Sequence, residues 1–133
     1  MRLTTKSEYA LLAIIYMARN EQHSFIKIED ICSHYAISKK YLEQLFNSLR
    51  QSGYIKTKTG ARGGYRLARP SSKISAAEII RLMDGALAPT SSVSKYFFEH
   101  TPLEKEKKVM AALKDIRNYI SDKMERLKIS DLT

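Results

Sequence analysis

The chain has 133 residues, 44% of them apolar and 28% charged, an ordinary globular composition that excludes wholesale disorder. No apolar run approaches the ~18 residues of a membrane span, and the longest, Ala10 to Ala18, has no cleavage pattern after it, so no membrane contact and no signal peptide are expected. The single cysteine, Cys32, excludes an internal disulfide or a zinc site of two thiolates, which fits a cytoplasmic protein.

Charge is more informative. There are 23 Lys and Arg against 14 Asp and Glu, a net of +9. Residues 1–73 hold 13 basic and 5 acidic side chains (+8), whereas residues 74–133 hold 10 and 9 (+1). A basic half joined to a near-neutral half reads as a polyanion-binding module beside something else.

The predicted elements follow in chain order. Thr5 and Glu8 have the spacing of a capping box and open a first helix. From Tyr9 to Ala18 that helix is apolar all round. It is therefore expected to be buried on two sides, by the local core and by a second subunit or the C-terminal helix. A short helix spans Ile28 to Tyr35, and Ala36, Ile37 and Ser38 form a turn. Ser38 is a good N-cap for a third helix running from Lys39 to about Ser52. Leu42, Leu45, Phe46 and Leu49 give it one apolar face, and Gly53 ends it. This is the pattern of a helix-turn-helix.

After Gly53 the period becomes alternating. Tyr54 to Thr59 and Tyr65 to Ala68 read as strands around a glycine-rich loop, residues 60–64, which together make a β-hairpin. A helix-turn-helix followed by a hairpin is a winged helix, closed here at Pro70. Ser75 and Glu78 form a second capping box for a helix that Asp84 and Gly85 stop. Residues 88–102 read as a loop. From Leu103 a helix of ~37 Å is predicted to about Leu127. Its stripe of Val109, Leu113, Ile116, Ile120 and Leu127 is too long for the small module, and a second copy of the chain is the economical partner. The fold class is thus mostly α, a winged helix-turn-helix plus a long C-terminal dimerisation helix. Its units are residues 1–70 for DNA binding, 71–102 for a connecting helix and sensor loop, and 103–133 for dimerisation.

With the third helix packed on its apolar face, Lys40, Gln44 and Asn47 point outward. Ser38, Lys39, Tyr41 and Glu43 cluster at the N-terminal end, which enters the major groove in helix-turn-helix proteins. Gln44 suits adenine, Glu43 a cytosine amino group, and Lys39 or Lys40 a guanine edge or a phosphate. Lys56, Lys58, Arg62 and Arg66 crowd onto the hairpin, with Arg62 at a glycine-rich tip suited to a narrow minor groove. Arg2 and Lys6 could hold phosphates near the first helix. No nucleophile–base pair, carboxylate pair or phosphate-cradling loop feeding a helix points to an enzyme. The alternative reading is a nonspecific nucleic-acid binder or adaptor on the same fold, controlled by a small ligand or a protein partner.

These residues resemble the Rrf2 family of bacterial winged-helix transcription regulators. The resemblance rests on MRLTTKSEYA from Met1 to Ala10 and ISKKYLEQLF from Ile37 to Phe46. It continues through GGYRL from Gly63 to Leu67, AAEII from Ala76 to Ile80, and ISDL from Ile129 to Leu132. It implies a homodimer built through the long helix and members that often repress at imperfect palindromes. It also implies DNA contacts from Ser38, Lys40, Tyr41, Glu43, Gln44, Arg62 and Gly64. Two positions depart from the family pattern. Thr59 stands where the wing usually has arginine, and Ala36 where the turn usually has glycine.

The resemblance also brings an iron–sulfur cluster held by three cysteines in the loop before the long helix. Here residues 88–102 contain no cysteine, and His23, His34 and His100 have no ligand spacing, so no cluster, metal or cofactor is expected. Cys32 reads as a small core residue. Tyr96, Phe97 and Phe98 occupy the sensing position. They are expected to pack under the loop or against a partner helix, or else to form a pocket for a small effector or a regulatory protein.

Overall fold

The computed structural model describes residues 2–133. The elements are α1 (Thr5–Arg19), α2 (Ile28–Tyr35), α3 (Lys39–Gln51), β1 (Ile55–Lys58), β2 (Gly64–Leu67), α4 (Ala76–Asp84) and α5 (Lys107–Arg126), with short 3-10 turns between and after them. Strands β1 and β2 are antiparallel, with Ile55 opposite Leu67 and Lys56 opposite Arg66.

Helix α1 is the centre of the molecule. It packs against α3, α4, β2 and the turn at Ile129–Leu132, so its two-sided burial is met within the chain. One core joins Ala13, Ile14 and Met17 of α1 to Ile31, Leu42, Phe46, Leu49, Ile55, Ile79 and Ile129. A smaller cluster of Ala77, Ile80 and Leu87 is covered by Leu3, Leu11, Ile120 and Met124, and fixes α5 against α4.

The turn between α2 and α3 is a left-handed cap. Ala36 has φ 56° and ψ 48°, and the Ile37 amide closes back on the Cys32 carbonyl at 3.0 Å. Ser38 then caps α3, its hydroxyl accepting from the Tyr41 amide at a long 3.5 Å. At the other end Gly53 takes φ 80°, and the Tyr54 amide returns to the Leu49 carbonyl at 2.9 Å, the bond pattern of a Schellman motif. The second capping box forms as expected: Glu78 N–H donates to Ser75 Oγ at 3.2 Å while Ser75 N–H donates to Glu78 Oε2 at 2.8 Å.

Four expectations need correction. The first capping box does not form. Thr4 is the N-cap of α1, and its amide (3.1 Å) and hydroxyl both donate to the Asp84 carboxylate at the end of α4. A tertiary acceptor outcompetes the local one. Helix α5 begins at Lys107 rather than Leu103, because Pro102–Lys105 is a 3-10 turn and Glu106 is extended. At 20 residues it is about 30 Å long. In the hairpin β1 is one residue shorter at each end than predicted, at Ile55–Lys58, and β2 keeps its predicted length but starts one residue earlier, at Gly64–Leu67. Finally, Tyr96, Phe97 and Phe98 do not tuck under their loop; they remain 67%, 47% and 50% exposed. The loop is anchored instead by buried Ser92, Val93 and Ser94, with Arg117 donating to the Val93 carbonyl at 2.9 Å.

Candidate nucleic-acid interface

The buried face of α3 fixes what the other face presents. With Leu42, Leu45, Phe46 and Leu49 in the core, Ser38, Lys39, Lys40, Glu43, Gln44 and Asn47 are exposed. Tyr41 is half-buried, its ring edge-on to Tyr9 with centroids 5.5 Å apart. It braces the start of α3 against α1 as well as facing outward. Lys39 is less free than its position suggests. Its ammonium lies 2.8 Å from Glu29 and 3.9 Å from Glu43. The hydrogen bond to Glu29 raises the Lys39 pKa and lowers that of Glu29. Lys40 has no such partner among the described residues.

Lys6 and Gln44 line one groove with Tyr41, Leu45, Ser48, Leu82 and Met83, so the start of α1 sits beside the outward face of α3. Thr5, Tyr9, Ser38 and Tyr41 line a second depression alongside. The Asp84 carboxylate holds this N-terminal arm by its bonds from Thr4. Partial burial pushes its pKa up, but the bonds from Thr4 and the Lys6 charge outweigh that and hold it below its ordinary value.

The wing is shaped by two glycines. A Cβ on Gly63 would lie 2.0 Å from the Lys58 carbonyl oxygen, and one on Gly64 would lie 2.4 Å from that of Ile26. Gly64, at φ 144°, is therefore required by backbone packing, whatever it contributes to DNA contact. Arg62 and Thr59 are exposed at the tip, and Lys56 and Lys58 along β1. Sequence reasoning missed Phe25 and Ile26. Ile26 makes a single β-bridge to Tyr65, with Phe25 beside it, too short to show as a period.

On α5, Val109, Ile116 and Tyr119 are 43%, 48% and 72% exposed. With exposed Ala112 they make a stripe at positions 109, 112, 116 and 119. Leu113 and Leu127 are half-buried, and Ile120 packs on the cluster beneath α4. Arg81 joins α4 to this region. It donates 2.9 Å bonds to Ser121 and Glu125, and its guanidinium lies 4.7 Å from the Tyr96 ring centroid.

The donor set does not fit an iron–sulfur cluster. Cys32 is half-buried between α2 and the core, with burial and then the Glu29 charge pushing its thiol pKa up. His100 is engaged by Glu104 at 3.0 Å. Among the described residues no three His, Cys, Asp or Glu side chains converge on a metal position. Nor is any helix long and apolar enough to cross a membrane.

A capped recognition-type helix, a basic wing and a braced basic arm define a winged-helix protein of the nucleic-acid-binding class. Comparison with known proteins narrows this. The family model Rrf2, described as an iron-dependent transcriptional regulator, matches residues 3–133. A candidate HTH-type transcriptional regulator of Neisseria meningitidis is 40% identical over 100 residues, which cover 75% of this chain and 68% of that protein. The HTH-type transcriptional regulator IscR of Xenorhabdus nematophila is 38% identical over 95 residues, 71% of this chain and 58% of its own length. The solved structure of CymR, the global cysteine regulator of B. subtilis, superposes with a TM-score of 0.80 at 27% identity, covering 99% of this chain and 95% of that one. The chain belongs to the Rrf2 family of transcriptional regulators, which are transcription factors and not enzymes.

Proposed function

We propose that this regulator binds an imperfect palindromic operator in the cytoplasm as a homodimer, without an iron–sulfur cluster, and represses transcription there. One observation carries the reading: the arm at Lys6 lines one groove with Gln44 on the exposed face of α3, and both belong, with the basic wing, to the +8 half of the chain. Gln44, Glu43 and Lys40 read base edges in the major groove, with Ser38, Lys39 and Tyr41 at the entry of the helix. Arg62 reaches the minor groove, and Arg2, Lys6, Lys56 and Lys58 hold phosphates. The exposed stripe of α5 pairs two copies so that both α3 helices face one duplex. Tyr96, Phe97 and Phe98 receive the signal, a small ligand or a protein partner. Arg81 carries it to α4, whose Asp84 holds the N-terminal arm.

Selection of duplexes from a random library by the purified protein, near physiological salt, tests the reading. Enrichment of a palindrome supports a dimeric reader. Binding without enrichment supports the nonspecific alternative. With the enriched duplex in hand, Gln44→Ala should cost ~1–3 kcal/mol and relax one base position, whereas Arg62→Ala should weaken all sequences and flatten the salt dependence. Equal losses on every sequence from both changes would rule out base reading by α3.

A further inference from the structure

Three polar residues of α4 each tie it to a different element. Arg81 reaches α5, Asp84 reaches the N-terminal arm, and Glu78 reaches the junction where α3 ends and β1 begins. The two oxygens of Glu78 have separate partners. Oε2 accepts from the Ser75 amide and hydroxyl at 2.8 and 3.1 Å, which completes the cap of α4. Oε1 accepts from the Tyr54 hydroxyl at 3.2 Å and lies 3.5 Å from the Arg69 guanidinium.

Tyr54 is the joint between α3 and the wing. Its amide closes α3 on the Leu49 carbonyl, and its carbonyl accepts from the Ala68 amide just beyond β2, both at 2.9 Å. Burial first, then the Glu78 charge, push the phenol pKa up, so the hydroxyl remains a donor at neutral pH. Arg69 spans the same joint. Its guanidinium lies 4.5 Å from the Tyr54 ring centroid and donates to the carbonyl of Ser52, the C-cap of α3, at 3.4 Å. With both side chains partly exposed, the Arg69–Glu78 pair adds little stability. What a planar fork stacked on a ring adds is orientation.

The other end of α3 is lightly held. The Ser38 cap bond is long at 3.5 Å, and the first turn carries Lys39 and Lys40 with no acidic residue, against the helix dipole. The tilt of α3 is therefore set by its buried face and by its C-terminal end. Gln44 precedes Ser52 by eight residues, about 12 Å along the axis. A tilt of about 5° at that end displaces Gln44 by about 1 Å, enough to take a normal hydrogen bond out of range. Long basic side chains follow a phosphate over such a distance; a bidentate contact to a base edge does not.

We propose that Glu78 is a positioning residue for base reading: through Tyr54 and Arg69 it holds α3 at the tilt at which Gln44 meets its base pair. This rests on the reading of α3 as the recognition helix. The clamp serves discrimination between sequences, and its loss spares binding to arbitrary duplex.

The test uses the full-length protein and two duplexes, the enriched palindrome and the same duplex with the base pair relaxed by Gln44→Ala replaced in both half-sites. At one salt concentration, well below the unfolding midpoint, the wild type should prefer the first by at least about thirtyfold. The double variant Tyr54→Phe, Arg69→Lys keeps every charge, the aromatic ring and the capping box. It should lower that preference at least about fivefold, with affinity for an arbitrary duplex and its salt slope unchanged. Should the double variant unfold by circular dichroism, Tyr54→Phe alone carries the test, with a smaller loss in the same sense. Glu78→Gln keeps an acceptor for the cap and should also lose preference. Ser75→Ala removes the cap hydroxyl and leaves Oε1 in place; it should lower Tm and keep the preference. An unchanged preference in the double variant or in Glu78→Gln overturns the proposal while leaving base reading by α3 intact. So does an equal loss from Ser75→Ala, which would make the clamp a matter of stability alone. Failure to enrich any palindrome overturns the parent reading and this one with it.

Discussion

Ala36 offers a test in which the backbone alone decides the outcome. It sits at φ 56° and ψ 48° at the end of α2, and it is the one residue other than glycine with positive φ among the described residues. For an L-residue that conformation costs ~1–2 kcal/mol through the clash of Cβ with the following carbonyl. The Ala36 side chain is exposed, so Ala36→Gly gives up no buried contact. The substitution does add freedom to the unfolded chain, which costs about 0.4–1 kcal/mol. The balance is a stabilisation of about 0.5–1 kcal/mol. With ~2.1 cal/mol/K of unfolding entropy per residue, a chain of 133 residues should gain about 2–4 °C in Tm. Ala36→Val should move the other way, since a β-branched side chain tolerates positive φ poorly. Thermal unfolding followed by circular dichroism, at one protein concentration because association raises Tm, measures both. A lower midpoint for Ala36→Gly, or a higher one for Ala36→Val, would refute the argument that the turn is strained at this residue.

Gly64→Ala should be costly, about 2–3 kcal/mol by urea titration, because its methyl group would meet the Ile26 carbonyl and break the bridge from Ile26 to Tyr65. Asp84→Asn should destabilise the protein by about 1 kcal/mol at neutral pH through weakened bonds to Thr4. The Asp84 pKa is depressed on folding, so the wild-type advantage is fully present above about pH 4. It closes as the pH falls through the folded value, which unfolding curves at pH 6 and pH 3 would show. Placing glutamate at both Ile116 and Tyr119, exposed on α5, should yield a monomer in sedimentation equilibrium with its helical content preserved. A variant that still dimerised would exclude this stripe as the subunit contact.

What the sequence disclosed was local. Ser38, Gly53 and the 3.6-residue period of Leu42, Leu45 and Leu49 report on neighbours a few positions away, and the helix-turn-helix is made of such neighbours. The glycines around Arg62 mark the wing for the same reason. Misreadings arose where distant residues compete. Local rules favour Thr5, which has Glu8 three residues on, yet an acceptor 80 positions away made Thr4 the cap. Helix α5 is apolar on two sides. The sequence joined Val109, Leu113, Ile116 and Ile120 into one stripe because spacings of three and four fit either face. In the fold Ile120 turns to α4, and Tyr119 takes its place on the outside. Lys39 was counted as a free cation because its partner, Glu29, lies on another helix. The shape of the interface was thus more legible than the state of its charges.

The position of Ile129 bears on how the protein comes to life on the ribosome. Its side chain is fully buried in the same core as α1 and α3, its amide bonds to the Ile74 carbonyl at 2.9 Å, and the Ala76 amide returns to the Leu127 carbonyl at 2.8 Å. The wing ends at Leu67, some 60 residues earlier. At roughly 5–20 residues per second, the nascent helix-turn-helix waits about 3–12 seconds for the residue that plugs its core. Until then the seat of Ile129 on α1 is open, an apolar notch for a chaperone or for a misplaced neighbour. The helix-turn-helix therefore reaches its final packing only after the segment beyond α5 has left the exit tunnel.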